Sequence, residues 1–362
     1  MRRKSAISII LALGSMALRG YAQDVSAPSE RGREVRYSVS LIDDATLYSG
    51  LPARSPGTLN RVLVEPALGM KIDNRYTFST SLISVSTTQR DTATQVLVRE
   101  AYSGVSAGDF DFTAGRKIVR WGTGYAFTAA GVLDPPRIPT DPSDRLNLNE
   151  GRDMVKTDWV HGPHALSAAW STAALARSGS KMRDTTAVRY NVLLRGFDTS
   201  LLAGKDRSGD SFGALTFTRV VGQAWELHGE AAWREHAAVL LGAKYTMKSG
   251  VTLIGEAFTP PNIAYFRGSG VSPLAGRQHY AFLNAGKSRL RELPGWKEWS
   301  LSGSVVANLD DRSGTGVIDV NRWFGKHVSS YLHMEIPAGS KATEYGAAPY
   351  AVASSLGIRF QL

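Results

Sequence analysis

Along most of the chain, apolar and polar residues alternate with a period of two, the mark of strands whose two faces meet different surroundings. Trp225, Leu227, Gly229, Ala231 and Trp233 interleave with Glu226, His228, Glu230 and Arg234. Val188, Tyr190, Val192 and Leu194 interleave with Arg189, Asn191 and Arg195. Breaks rich in Gly, Pro, Asn, Ser and Asp divide this pattern into eighteen candidate strands: 33–43, 60–72, 75–88, 94–105, 109–121, 153–161, 164–175, 186–196, 198–204, 211–221, 223–234, 237–247, 250–259, 278–287, 297–309, 315–324, 327–336 and 348–362.

A sandwich also alternates, but its inner faces are dry. Here the polar face is rich in charge along most segments, while aromatics such as Trp225, Trp233, Tyr245, Trp299 and Trp323 sit toward strand ends near the apolar face. That arrangement suits lipid outside and water inside. Connections agree: Asp73-Asn74, Ser106-Ala107-Gly108 and Gly162-Pro163 are tight, whereas 44–59, 122–152, 260–277 and 337–347 are long. Short turns at one end and long loops at the other are the habit of outer-membrane barrels. The expected class is all-β, a transmembrane antiparallel up-and-down barrel of 16–18 strands.

The last strand puts Tyr350, Val352, Leu356, Ile358, Phe360 and Leu362 on one face. Its end resembles the terminal β-signal of outer-membrane proteins, with Gly357, Phe360 and Leu362 at the marked positions. That resemblance implies outer-membrane lipid and the β-barrel assembly machinery as partners. Arg99-Glu100-Ala101-Tyr102, Gly115-Arg116-Lys117-Ile118-Val119-Arg120-Trp121-Gly122 and the Pro/Asp-rich run from Asp134 to Asp144 resemble a stretch of Gram-negative porin-like barrels, alginate-export-like ones included. Lys117 stands where those proteins usually carry Gln. The resemblance implies an outer-membrane pore and is compatible with a homotrimer, for which no segment marks an interface.

Composition alone would have pointed elsewhere. A mean hydropathy of -0.16 suggests solubility, yet it averages an apolar face with a polar one. The net charge of +10 also shrinks on reading. Residues 1–22 have a basic start, an apolar run and small residues before Ala22, as in a cleaved signal peptide. Their removal takes Arg2, Arg3, Lys4 and Arg19 and no acid, leaving 38 basic against 32 acidic side chains over 340 residues. Such interspersed charge does not favour nucleic acid. Residues 23–32 then form a periplasmic N-terminal segment and 33–362 the barrel. With no Cys, thiol chemistry and Cys-ligated metals are excluded, and no later stretch approaches the length of apolar helix that spans a bilayer.

Candidate functional residues follow from parity. Lys117, Arg189, Arg195, Glu226, His228, Glu230, Lys244, His333 and Glu335 fall on the inward face. Arg116 and Arg120 have the opposite parity from Lys117, so a bulge must re-aim one set or it lies beyond the apolar band. Rings of basic side chains select anions and rings of carboxylates cations; the mixture here implies a weak anion preference. Loop 122–152 is longer than a plain connection, stiffened by Pro135, Pro136, Pro139 and Pro142 and charged at Asp134, Asp141, Asp144 and Arg145. Either it turns inward as a constriction, or it projects outward.

Enzymatic signals are few. Gly104-Val105-Ser106-Ala107-Gly108 satisfies G-x-S-x-G, but a nucleophile elbow needs a following helix, and Asp109–Phe112 begins another alternating strand. His161 and His164 flank a Gly-Pro turn and lack a third ligand. No catalytic residue, metal or cofactor is implied. The expectation is a channel for small polar, anionic solutes. The alternatives are an exopolysaccharide export conduit, a barrel enzyme such as a lipase or deacylase, and a non-conducting structural barrel.

Overall fold

The computed structural model describes residues 32–52, 55–172, 184–207, 209–234, 237–259, 279–290 and 295–362. The signal peptide, most of the N-terminal segment and the 260–277 loop read from the sequence lie outside the described residues. Among the described residues there are eighteen strands: β1 (Arg33–Ser49), β2 (Thr58–Ile72), β3 (Tyr76–Thr88), β4 (Thr92–Ala107), β5 (Phe110–Lys117), β6 (Arg152–His161), β7 (His164–Thr172), β8 (Thr185–Leu194) and β9 (Phe197–Asp206) form the first half. The second half is β10 (Ser211–Val221), β11 (Trp225–Trp233), β12 (Ala237–Thr246), β13 (Val251–Thr259), β14 (Tyr280–Lys287), β15 (Trp299–Asn308), β16 (Ser313–Trp323), β17 (Val328–Ala338) and β18 (Val352–Gln361). Each pairs antiparallel with its predecessor, and β18 pairs with β1 to close the ring. Closure gives every backbone donor and acceptor in the wall a partner, which a membrane-spanning sheet requires.

The period-two pattern maps onto this wall. Leu201, Leu215, Trp225, Leu241, Leu283 and Leu356 are exposed outward, while the alternate positions turn into the lumen. Tight turns need backbone conformations that open a right-handed hairpin: Asp73 and Asn74 have φ of 51° and 54°, as a type I′ turn demands of both central residues.

Three boundaries differ from the sequence expectation by four residues or more. β1 runs to Ser49 rather than 43: the stretch from 44, expected to open a long loop, stays paired with β2 and β18, and Asp44 turns inward to side-chain partners. β5 stops at Lys117 rather than 121. There the Ile118 N–H donates to the Glu100 carboxylate at 2.9 Å, and the chain leaves the sheet. β18 begins at Val352 rather than 348, since Pro349 has no N–H for a ladder.

β5 keeps its register through Arg116 and Lys117, so the two stay on opposite faces, and the β-bulge lies in the neighbouring β4. Ser81 pairs with Glu100 and Leu82 with Val98, leaving Arg99 as the extra residue of β4. One added residue exchanges the faces of all that follow it. Leu97 points inward before the bulge, whereas Tyr102 does so after it, beneath the Lys117 ammonium at 4.5 Å.

Candidate functional site: a lumen narrowed by inward loops

Residues 118–151, between β5 and β6, fold into the lumen. Such a loop carries backbone donors with no strand to satisfy them, and an unpaired buried N–H is costly. Two inward carboxylates take up seven of these donors. Glu230 on β11 accepts from the N–H groups of Thr123 (2.5 Å), Gly124 (2.9 Å), Ala129 (2.6 Å) and Ala130 (2.7 Å). Glu256 on β13 accepts from Tyr125 (2.5 Å), Ala126 (2.9 Å) and Phe127 (3.2 Å). His228 Nε2 lies 3.0 Å from Glu256 and reaches it across β12, because the residue between them is Gly242. A Cβ there would sit 2.2 Å from the imidazole.

Apolar contacts reinforce this anchor. Phe127 is fully buried, stacked 5.1 Å from Phe258 and set 6.0 Å from Tyr280. The same cluster takes in Tyr345, so the loop between β17 and β18 also turns inward. There Glu344 accepts from the Tyr280 hydroxyl and the Asn308 amide, each at 2.8 Å. Further along, Val119, Trp121 and Leu133 cluster with Met154 of β6, Leu202 of β9 and Phe212 of β10. Asp134 accepts from the Trp121 N–H at 2.7 Å and faces Arg137 at 3.5 Å. Burial pushes its carboxyl up to about 6, opposed by that N–H and by Arg137.

The second anchor is ionic. Arg145 meets Asp44 at 2.9 Å, the Tyr331 hydroxyl donates to the same carboxylate at 2.7 Å, and Arg61 lies 3.7 Å away. Arg99, re-aimed by the bulge, meets Glu65 at 3.0 Å, and Asn147 donates to Glu65 at 3.1 Å. Arg359 donates to the carbonyl of Arg145. Within the loop, Asp144 accepts from the N–H groups of Leu148 and Asn149, and Asp141 from that of Arg145.

The sequence-derived candidates are therefore not equivalent. Lys117, Arg189, Glu226 and Lys244 face the lumen, with Lys244 and Glu226 joined through the Tyr125 hydroxyl at 3.1 and 2.8 Å. Arg189 donates to Ser200 at 3.0 Å. His333 sits 2.7 Å from Asp319, with Glu335 two residues on. His228 and Glu230 point inward but are 1% and 3% exposed, sealed under the loop. Arg116 lies on the outward parity and pairs with Asp153 at 2.6 Å, Arg120 is exposed beyond the end of β5, and Arg195 occupies the β8–β9 turn at φ 50°. Glu256, Asp44, Arg61 and the 339–351 loop were not singled out from the sequence. For Glu256, the parity of β13 was the available signal.

Chemistry elsewhere is sparse. Ser106 of the G-x-S-x-G run ends β4 and donates to Asp111 across a hairpin, with β5 following and no helix. His161 pairs with Asp109 and His164 with Tyr190. Among the described residues no group of three His, Cys, Asp or Glu could hold a metal.

No family model and no curated protein matches the sequence. Solved structures do match the fold. OccK11 (OpdR) of Pseudomonas aeruginosa superposes with a TM-score of 0.64 at 9% identity, the match covering 91% of this chain and 96% of that one. OpdQ of the same organism gives 0.61 at 10% identity, covering 91% and 99%. A mutant porin of Rh. blastica gives 0.51 at 10% identity, covering 91% and 100%. The likeness is one of architecture: this chain has a porin-like barrel fold, closed by eighteen antiparallel strands.

Proposed function

We propose that the protein is an outer-membrane channel through which small polar solutes diffuse, anions in preference to cations. The observation that carries this reading is a closed wall, apolar outside and charged inside, with two loops turned into its lumen. Lys117, Arg189, Lys244 and the group Arg61, Arg99, Arg145 and Arg359 are the proposed lining, with Glu226 and Asp158 as interspersed acids. Water and fixed charges replace a solute's hydration in such a lumen, and basic groups that stay more open than the carboxylates they pair with lower the barrier for anions. The loops 118–151 and 339–351 act as the constriction.

An enzymatic role finds less support, since the serine of the elbow-like motif is taken up in a hairpin. An exopolysaccharide conduit would need aromatic rings tracking along the passage, whereas Phe127, Phe258 and Tyr280 are buried against one another. The terminal strand, with Gly357 packed against the Tyr331 ring, is the proposed recognition element for the assembly machinery.

Planar-bilayer reconstitution tests the reading. Stepwise conductance with a reversal potential displaced toward the anion equilibrium is expected in a salt gradient. An inserted protein that never conducts would overturn the channel, and cation selectivity would overturn the preference. Closure in groups of three steps would mark a homotrimer.

A further inference from the structure

On the outer wall, β12 to β16 enclose an apolar groove of about 680 Å³, within the roughly 300–1,000 Å³ of ligand-holding clefts. Its floor is Ala243, Gly255, Ala285, Gly303 and Gly316, outward residues of five adjacent strands brought together by the register. Trp225 and Tyr245, their rings tilted at 37° with centroids 4.6 Å apart, lie at one end.

The wall does not require these glycines. At Gly204, Gly229, Gly242 and Gly357 an added Cβ would meet a neighbouring atom at 2.2 to 2.5 Å. At Gly255 the nearest atom would be 3.4 Å away, at Gly303 3.9 Å, and at Gly316 nothing lies within 4 Å. None of the three has a positive φ. Glycine weakens a strand, and where packing does not demand it, it marks the close approach of a ligand or another chain.

Charge identifies the occupant. Four residues from Gly303 on the same face of β15, roughly 13 Å along the strand, stands Trp299, paired in register with Arg322. The exposed Arg322 guanidinium is held over the rings of Trp299 at 5.1 Å and Phe324 at 4.6 Å. Lys287 follows Ala285 by two residues on the same face. Aromatics and a guanidinium at the short-turn end of an apolar groove match the order of a phospholipid: phosphate at the interface, acyl chain inward.

We infer that this groove is a binding site for one phospholipid of the periplasmic leaflet, its phosphate on Arg322 and an acyl chain over Gly255, Gly303 and Gly316. The inference rests on the membrane reading above. Native mass spectrometry of the full chain, released from mild detergent with added dioleoyl-phosphatidylglycerol, tests it. The wild type should retain one lipid per chain, and dioleoylglycerol, which lacks the phosphate, should be retained far less. Gly303→Leu with Gly316→Leu should abolish retention, and Arg322→Gln should weaken it by about tenfold, the scale of one charge-assisted contact. Bilayer conductance and heat-dependent gel mobility report that both variants are folded. Equal retention by the filled variant would overturn the site, as would a change in the number of associated chains with lipid retention unaltered, since the face would then serve a second copy. A barrel that inserts and conducts yet holds no lipid overturns this inference alone, whereas failure to insert overturns the membrane reading as well.

Discussion

The two anchors of the 118–151 loop solve the same problem with opposite chemistry. At β11 and β13, carboxylates from the wall bind backbone N–H groups, in a region sealed from water. At β1 and β2, carboxylates from the wall bind guanidinium groups, and Arg61, Arg99 and Arg145 keep 26%, 25% and 17% of their side-chain surface open. The first anchor draws mainly on the N–H that every non-proline residue offers, although Gly124 is fixed by space, since a Cβ there would meet the Phe127 carbonyl at 2.3 Å. The second depends on particular side chains and leaves part of their charge facing the lumen. On the channel reading proposed above, position and selectivity fall to different ends of one loop.

The largest test of that division is Glu230→Ala with Glu256→Ala. It orphans seven backbone donors, each worth roughly 1–3 kcal/mol when left buried and unpaired, so the loop should leave the wall. Unitary conductance should rise severalfold and fluctuate, while the reversal potential moves little. A conductance equal to that of the wild type would show that apolar packing alone holds the loop.

Arg145→Gln addresses the other end. It removes a charged hydrogen bond worth about 1.5–3 kcal/mol, partly offset because Tyr331 and Arg61 still serve Asp44. The expected result is a reversal potential displaced toward cations with conductance nearly kept. A large conductance change with unaltered selectivity would reverse the roles of the two anchors.

The smallest effect is expected at Asp134, between them. With its carboxyl pushed up to about 6 by burial, this group is protonated below that pH and ionised above it. Its raised value means that the folded state holds the proton more tightly, so its contribution to stability is fullest below the usual carboxylate range and declines as pH rises through about 6. Asp134→Asn should therefore match the wild type in conductance noise and melting temperature near pH 5, and differ near pH 8. Identical differences at both values would place the ionisation outside this interval.

The strands were readable because each records its two surroundings in its own alternation, and the eighteen candidate segments correspond to β1–β18. What remained hidden was long-range or conformational. Glu230 takes hydrogen bonds from Thr123 and Gly124, more than a hundred residues away, and no composition rule links a carboxylate to a distant run of N–H groups. Asp44 was obscured because the Gly-, Pro- and Ser-rich stretch 44–59 reads as loop, which leaves its position without a parity. The Arg99 bulge adds one residue without altering the character of its strand, yet it decides which side of the wall Glu100 and Tyr102 face.

The ring closes through β1 and β18, whose residues Thr46 and Ser355 touch at a sequence separation of 309. Until that seam forms, any partly folded sheet has two free edges able to template pairing with another chain. The sheet stays open to such pairing until the final strand engages the first. Once zipped, no edge remains from which the sheet can peel, and unfolding has to begin by opening a whole row of ladder bonds at once. The same joint makes the protein slow to assemble and slow to come apart.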